Sequence, residues 1–290
     1  MALTPRIVGK YELMYRPGRD RFPGPDSDHL KAGQWYDAWI ANDHSFVRDR
    51  DGVWHGFGII SPACPGLHEG AWMSFHITSP PSSTGIELGK LWTERPKVLT
   101  PADRPKERKE LYAPYVVKRD GKYYMFYGPH EMRLAVSTDL FHWDPQGPRF
   151  AQDGVARDPC VVRIEGVYHM VYTAGQSVFL RTSKDLVAWT DPPKEVYRMD
   201  QDGLPESPVL VERDGEFYLF WCIYDGTNTA YDNRTFVFRS HTPDNFTRAD
   251  RLPMLLAHCP ELIEDDTSQW YISSAEWPAR GVSLARLAWD

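Results

Sequence analysis

Asp43, Asp158 and Glu206 lie 115 and 48 residues apart, yet each stands at or beside the start of the same local pattern. Asp43-His44, Asp158-Pro159 and Glu206-Ser207-Pro208 each precede an alternating apolar run, a charged turn with glycine, and an aromatic-rich run. Carboxyl groups gathered in one concave site can share out the cleavage of a glycosidic bond. One carboxylic acid protonates the leaving oxygen, and one carboxylate activates water or attacks the anomeric carbon. A third negative charge nearby disfavours ionisation of the others, so a proton is kept near neutral pH. Singly, each of the three also reads as an ordinary turn or loop acid ahead of a strand.

The elements that must hold these acids form a repeat. Ala113-Pro114-YVVKRDGKYYMFYG, Asp158-Pro159-CVVRIEGVYHMVYT, Ser207-Pro208-VLVERDGEFYLFWC and Cys259-Pro260-ELIEDDTSQWYISS share one template, with prolines spaced by 45, 49 and 52 residues. Asp43-His44-SFVRDRDGVWHGFGI fits as a further unit with histidine in the proline position. Each unit predicts a β-hairpin, since Val/Ile/Tyr/Phe-rich runs flank an Asp-Gly or Glu-Gly turn. Later segments beginning at Leu134, Phe179 and Phe238, with shorter relatives at Met73 and Val282, predict a third strand and a short fourth. Such four-stranded units cannot cover both faces alone and must stack around an axis. The expected fold is all-β: a five-bladed β-propeller in a single domain, spanning 39–290, with residues 1–38 as an extension packed on it that either completes the outer sheet or folds over the mouth. The first strand of each blade lines the channel. Asp43, Ala113, Asp158, Ser207 and Cys259 should therefore ring one mouth, with Asn42, Tyr112, Arg157, Glu206 and His258 beside them.

Composition narrows the partners. Lys+Arg number 33 against 40 Asp+Glu, a formal charge of −7, and no basic stripe stands out, so nucleic acid is not expected. No run of about 18 apolar residues is present and the start lacks a secretory pattern, which predicts no membrane partner and a cytoplasmic location. Cys64, Cys160, Cys222 and Cys259 lie at least 37 residues apart without a CxxC pair and are expected to be reduced core thiols. The 11 tryptophans exceed what a core usually takes, and flat apolar rings suit sugar faces.

The ordered set Asp43, Tyr112-Ala113-Pro114, Arg157-Asp158-Pro159 and Glu206-Ser207-Pro208 resembles the five-bladed propeller glycoside hydrolases of family 43, related to families 62, 32 and 68. The resemblance covers roughly residues 40–290. It implies that Asp43 is the general base, Asp158 the carboxylate that orients and tunes the acid, and Glu206 the general acid. Arg239-Ser240 looks like the family's substrate-facing arginine, and His258 like a histidine near the axis that in some members joins the hydration shell of a calcium ion. A structural Ca2+ near His258 is therefore an expectation; no cofactor is required for the chemistry. Asn42-Asp43 and Arg157-Asp158-Pro159 also look like families 32 and 68, where the first aspartate is a nucleophile and configuration is retained. His44 stands where their next proline would be.

Further candidates for binding an oligosaccharide are Asn42, His44, Arg157, Trp72 and Trp221, with Trp39 as another aromatic that could join a platform. Glu131 and Glu276 are expected to be solvated, and Asp37 is the nearest acid that could replace Asp43. The leading expectation is an exo-acting glycosidase releasing arabinofuranosyl, xylosyl or fructofuranosyl units from short oligosaccharides, with no oligomeric state assigned. Asp158-Pro159 followed by Tyr172-Thr173-Ala174 and Ser183-Lys184-Asp185-Leu186 also resembles the family 130 phosphorylases, and a non-catalytic carbohydrate-binding propeller is a third reading.

Overall fold

A computed structural model describes residues 3–64, 69–82, 85–200, 202–224 and 233–290. Five four-stranded antiparallel sheets surround one axis as blades. Their innermost strands are Trp39–Arg48, Tyr112–Arg119, Arg157–Ile164, Leu204–Arg213 and Leu262–Glu264 for blades I to V. Among the described residues the helical content is a single turn, Arg248–Asp250.

The hairpins form where the turn chemistry allows a two-residue loop. Arg119 pairs with Lys122, Ile164 with Val167 and Arg213 with Glu216. The residues between them, Asp120-Gly121, Glu165-Gly166 and Asp214-Gly215, all have positive φ. Two successive left-handed residues make the tight turn whose twist matches that of paired strands.

Closure of the ring comes from the N-terminus. Pro5–Tyr15 pairs antiparallel with Val282–Trp289 from Pro5↔Trp289 to Tyr15↔Val282 and forms the outermost strand of blade V. Residues 5–15 are thus part of the propeller rather than an extension on it, and they cap an edge that would otherwise be unpaired.

Four apolar clusters hold neighbouring blades together. Trp39, Met73 and Phe75 of blade I meet Tyr271 and Leu284 of blade V. Val47 and Phe57 meet Val116 and Met125 of blade II, and Phe126 and Met132 meet Val161 and Met170 of blade III. The largest cluster joins blades III, IV and V and is centred on Tyr218, Phe220 and Trp221. The tryptophan excess is in good part the filling of these interfaces.

Candidate active site

The repeated Pro units mark a repeated backbone distortion. The register of each first hairpin breaks between Asn42 and His44, Tyr112 and Tyr115, Arg157 and Cys160, and Glu206 and Val209. Each break is a bulge that bends the strand and re-aims side chains at the channel end. Within the breaks Ala113, Asp158 and Ser207 have φ of 45°, 57° and 46°, and Cys259 in blade V has 44°. Left-handed backbone at residues other than glycine costs energy, and it is kept here at the same point of four blades. Just outside each bulge, Asn42, Tyr112, Arg157 and Glu206 face Ile59, Gly128, Thr173 and Cys222 on the second strand.

These bulges bring Asp43, Asp158 and Glu206 into one hydrogen-bonded cluster. The Arg157 guanidinium lies between two carboxyls, donating through Nη1 to Asp158 Oδ2 and, at 3.1 Å, to Glu206 Oε1. Asp158 Oδ2 also accepts the Ser207 backbone N–H at 3.2 Å and the Thr173 hydroxyl at 3.2 Å. The Ser207 hydroxyl donates across the channel to Asp43 Oδ1. Beneath them Asp43, Asp158, Ser207 and Glu261 border a cavity with about 10 Å³ open to the centre of a water molecule.

Burial decides the protonation of this cluster more than charge repulsion does. It pushes the Glu206 carboxyl up to about 8; Arg157 opposes the rise, while Cys222, Asp43 and Asp158 add to it. Asp158 is likewise raised by burial, against Arg157. Asp158 receives three donors and Glu206 one, so the shared proton belongs on Glu206 and the negative charge on Asp158. The Glu206 side chain is 17% exposed and Asp158 only 2%, so Glu206 is the acid a ligand can reach.

Other sequence candidates are placed differently. His44 is buried, bonds Ser273 Oγ at 2.7 Å through Nε2, and is pushed down to about 4 chiefly by that burial, so it is neutral and ties blade I to blade V. Asn42 is half-buried, and its Oδ1 is shielded without a hydrogen-bond partner. Trp72 is buried with Phe22 5.7 Å from its ring and the Lys109 ammonium over it at 5.1 Å. Trp221 packs against Phe236 and Phe238, and Trp39 is wholly buried. None of the three presents a free face to a sugar. Arg239 departs most: Thr235 is the residue level with Cys222 and Glu206, and Arg239 lies four positions further along. At roughly 3.3 Å per residue it is about 13 Å from the mouth. Asp37 is exposed and paired with Arg19. Glu131 is half-buried. Glu276 is also half-buried; it accepts the N–H groups of Ala41 and Gly281 and stitches blade V to blade I.

Sequence reasoning missed Ser207, Thr173 and Glu261 as members of the site. The template places Ser207 in the ring, but its hydroxyl could be matched to Asp43 only once the blades were assembled. Glu261 follows Cys259-Pro260 and is held neutral first by burial and then by Asp43. His258 lies beside the carboxylates, with Nε2 3.4 Å from Cys259 Sγ, and Cys259 Sγ is 3.6 Å from Cys222 Sγ. All three side chains are buried. Calcium takes six to eight oxygen ligands, and this sulfur-lined surround of His258 does not suit it.

Residues 151–290 match the model of Glycosyl hydrolases family 43. An uncharacterised protein of Mycobacterium tuberculosis (strain CDC 1551 / Oshkosh) is 29% identical over 135 residues, 40% of this chain and 42% of that protein. The chain thus matches less than half the length of this curated relative. The fold is that of an exo-1,5-alpha-L-arabinanase from a bovine ruminal metagenomic library (TM-score 0.62, 17% identity, 85% of this chain and 92% of that one). It is also that of a GH43_1 enzyme from Xanthomonas citri complexed with xylotriose (TM-score 0.63, 16% identity, 86% and 87%).

Proposed function

We propose that the chain, a five-bladed propeller whose residues 151–290 match the family 43 model, is a glycoside hydrolase acting on short oligosaccharides. Glu206 is the general acid, Asp43 the base that activates water, and Asp158 the carboxylate that holds Arg157 and tunes Glu206. The observation that carries this reading is the unequal sharing of Arg157, which leaves Glu206 protonated and Asp158 charged. In the reaction Glu206 gives its proton to the glycosidic oxygen as the bond to the anomeric carbon breaks. Asp43 takes a proton from the water that attacks, and the configuration inverts. Ser207, donating to Asp43, fixes the base in orientation.

We assign exo action on arabinofuranosyl, xylosyl or fructofuranosyl ends. The buried thiols of Cys160, Cys222 and Cys259 suit a reducing cytoplasm, where imported fragments rather than polymers are at hand. Phosphorolysis would instead require cations free to hold phosphate, and Arg157 is engaged by the Asp158 carboxylate and the Glu206 carboxyl.

Aryl glycosides of the three sugars test the proposal. Release of aryl alcohol from at least one is expected, and silence across the panel defeats it. Asp43→Asn should lower kcat by about 10³-fold, within the range for loss of a general base, with an unchanged melting temperature. The product anomer, read by NMR before mutarotation, should be inverted; a retained anomer would make Asp43 the nucleophile.

A further inference from the structure

We propose that Cys222, Cys259 and His258 form a binding site for a thiophilic metal ion of the zinc class, set against the carboxylate cluster. The three residues come from two blades. Cys222 sits on the second strand of blade IV, level with Glu206, while His258 and Cys259 precede the first strand of blade V, Cys259 with left-handed backbone like Asp158 and Ser207. Their ligand atoms all lie within 4.8 Å of one another, with Cys222 Sγ to Cys259 Sγ at 3.6 Å and Cys259 Sγ to His258 Nε2 at 3.4 Å.

These separations are those of a tetrahedral edge. Zinc–sulfur bonds of about 2.3 Å and zinc–nitrogen bonds of about 2.0 to 2.1 Å imply sulfur–sulfur and sulfur–nitrogen edges of about 3.8 and 3.6 Å. Two of the three separations are within about 0.2 Å of their edges, and the third pair, Cys222 Sγ and the His258 nitrogen, lies within 4.8 Å. The donor set selects its class: two thiolates and an imidazole favour zinc, cadmium or copper(I) over calcium or magnesium. Calcium held through its hydration shell would not use these sulfurs as ligands, and the donor set itself favours the softer ion.

Three protein ligands leave one coordination position for a water or another small ligand. Binding a divalent ion releases the two thiol protons, so the net charge of the site is unchanged and uptake should itself depend on pH. The binding does not rest on the glycosidase reading above.

Cadmium is the probe, added to the full-length, reduced, metal-stripped protein and followed by its ultraviolet thiolate charge-transfer band. One equivalent should saturate the band, and cadmium NMR of the wild-type protein should report a donor set with two sulfurs. Cys259→Ser should weaken binding by about 100-fold or more, the upper end of losses seen even for outer-shell changes. Serine already occupies the same left-handed bulge at Ser207, so this variant is expected to fold. Cys64→Ser, outside the cluster, should keep the band. No stoichiometric band, a band indifferent to Cys259→Ser in folded protein, or a spectrum without two sulfurs would overturn the site. So would a Cys222–Cys259 disulfide that persists under the reducing conditions used. Cadmium uptake in a protein without glycosidase activity would sustain the site and defeat the proposed function instead.

Discussion

At the scale of single residues, the carboxylate cluster makes a prediction about pH whose sign follows from its contacts. Glu206 is raised first by burial, lowered by Arg157, and raised again by Cys222, Asp43 and Asp158. Asp158→Asn removes one raising charge and frees the guanidinium to turn wholly to Glu206, so the proton is held less tightly. The alkaline limb of kcat/KM should move to lower pH; a limb that stays or rises in folded protein would exclude tuning by Asp158. Glu261 offers a second test through stability. Its folded carboxyl is raised above the unfolded value of about 4.3, so the unfolded chain sheds its proton first and stability falls as pH rises past that value. Glu261→Gln cannot ionise. Its melting temperature should equal or exceed wild type at pH 9 and differ least near pH 4, and an equal loss at both would defeat the assignment. The clustering of Asp43, Asp158 and Glu206 was legible because the template puts Asp43 and Asp158 at one blade position and Glu206 a single residue before it. Ser207, Thr173 and Glu261 were not, because a hydroxyl or a lone acid acquires meaning only from a partner on another blade.

At the scale of elements, what the sequence showed was turns, and what it hid was bulges. Asp-Gly and Glu-Gly between aromatic runs have few other uses, so hairpins could be read with their loops. The repeated Pro signalled a unit start without revealing that the preceding residue turns left-handed, as Ala113, Asp158, Ser207 and Cys259 all do. Position along a strand was harder still. Arg239 shares a strand with residues at the mouth, but strand direction and register carry it about 13 Å away, and sequence similarity to a substrate-facing arginine could not supply that register. Tryptophan was ambiguous in kind, since one ring can fill a blade interface or carry a sugar. Trp221 is 2% exposed among Tyr197, Phe236 and Phe238. Trp221→Ala should therefore cost about 3 to 5 kcal/mol, seen as a lower denaturant midpoint with KM for substrate little changed in the protein that remains folded. A large rise in KM without loss of stability would restore the ring to the binding surface.

At the scale of the whole molecule, the ring is closed by hydrogen bonds between chain ends, and this closure holds the site together. Pro5–Tyr15 completes blade V, and Thr4 and Asp290 exchange backbone hydrogen bonds of 2.7 and 3.1 Å beyond it. Blade V carries His258, Cys259 and Glu261, while blade I carries Asp43. The contacts joining these two blades include His44 to Ser273, Glu276 to Ala41, and Arg280 to the Trp39 carbonyl at 2.7 Å. Residues 1–38 resemble no blade, so completing the outer sheet and folding over the mouth were both open from the sequence, and the pairing of Pro5–Tyr15 with Val282–Trp289 decides for the first over residues 5–15. Deleting residues 1–15 strips the edge of Val282–Trp289 and exposes its unpaired backbone groups to other chains. The truncated protein should melt at lower temperature and form concentration-dependent aggregates, and its activity should fall with loss of fold rather than through a change in pH profile. Supplying Leu3–Arg16 as a separate peptide should restore part of the melting temperature in proportion to peptide concentration, as expected for a ligand that binds only the folded state. A truncated protein that melts as the full chain does would show that the blade interfaces alone close the ring.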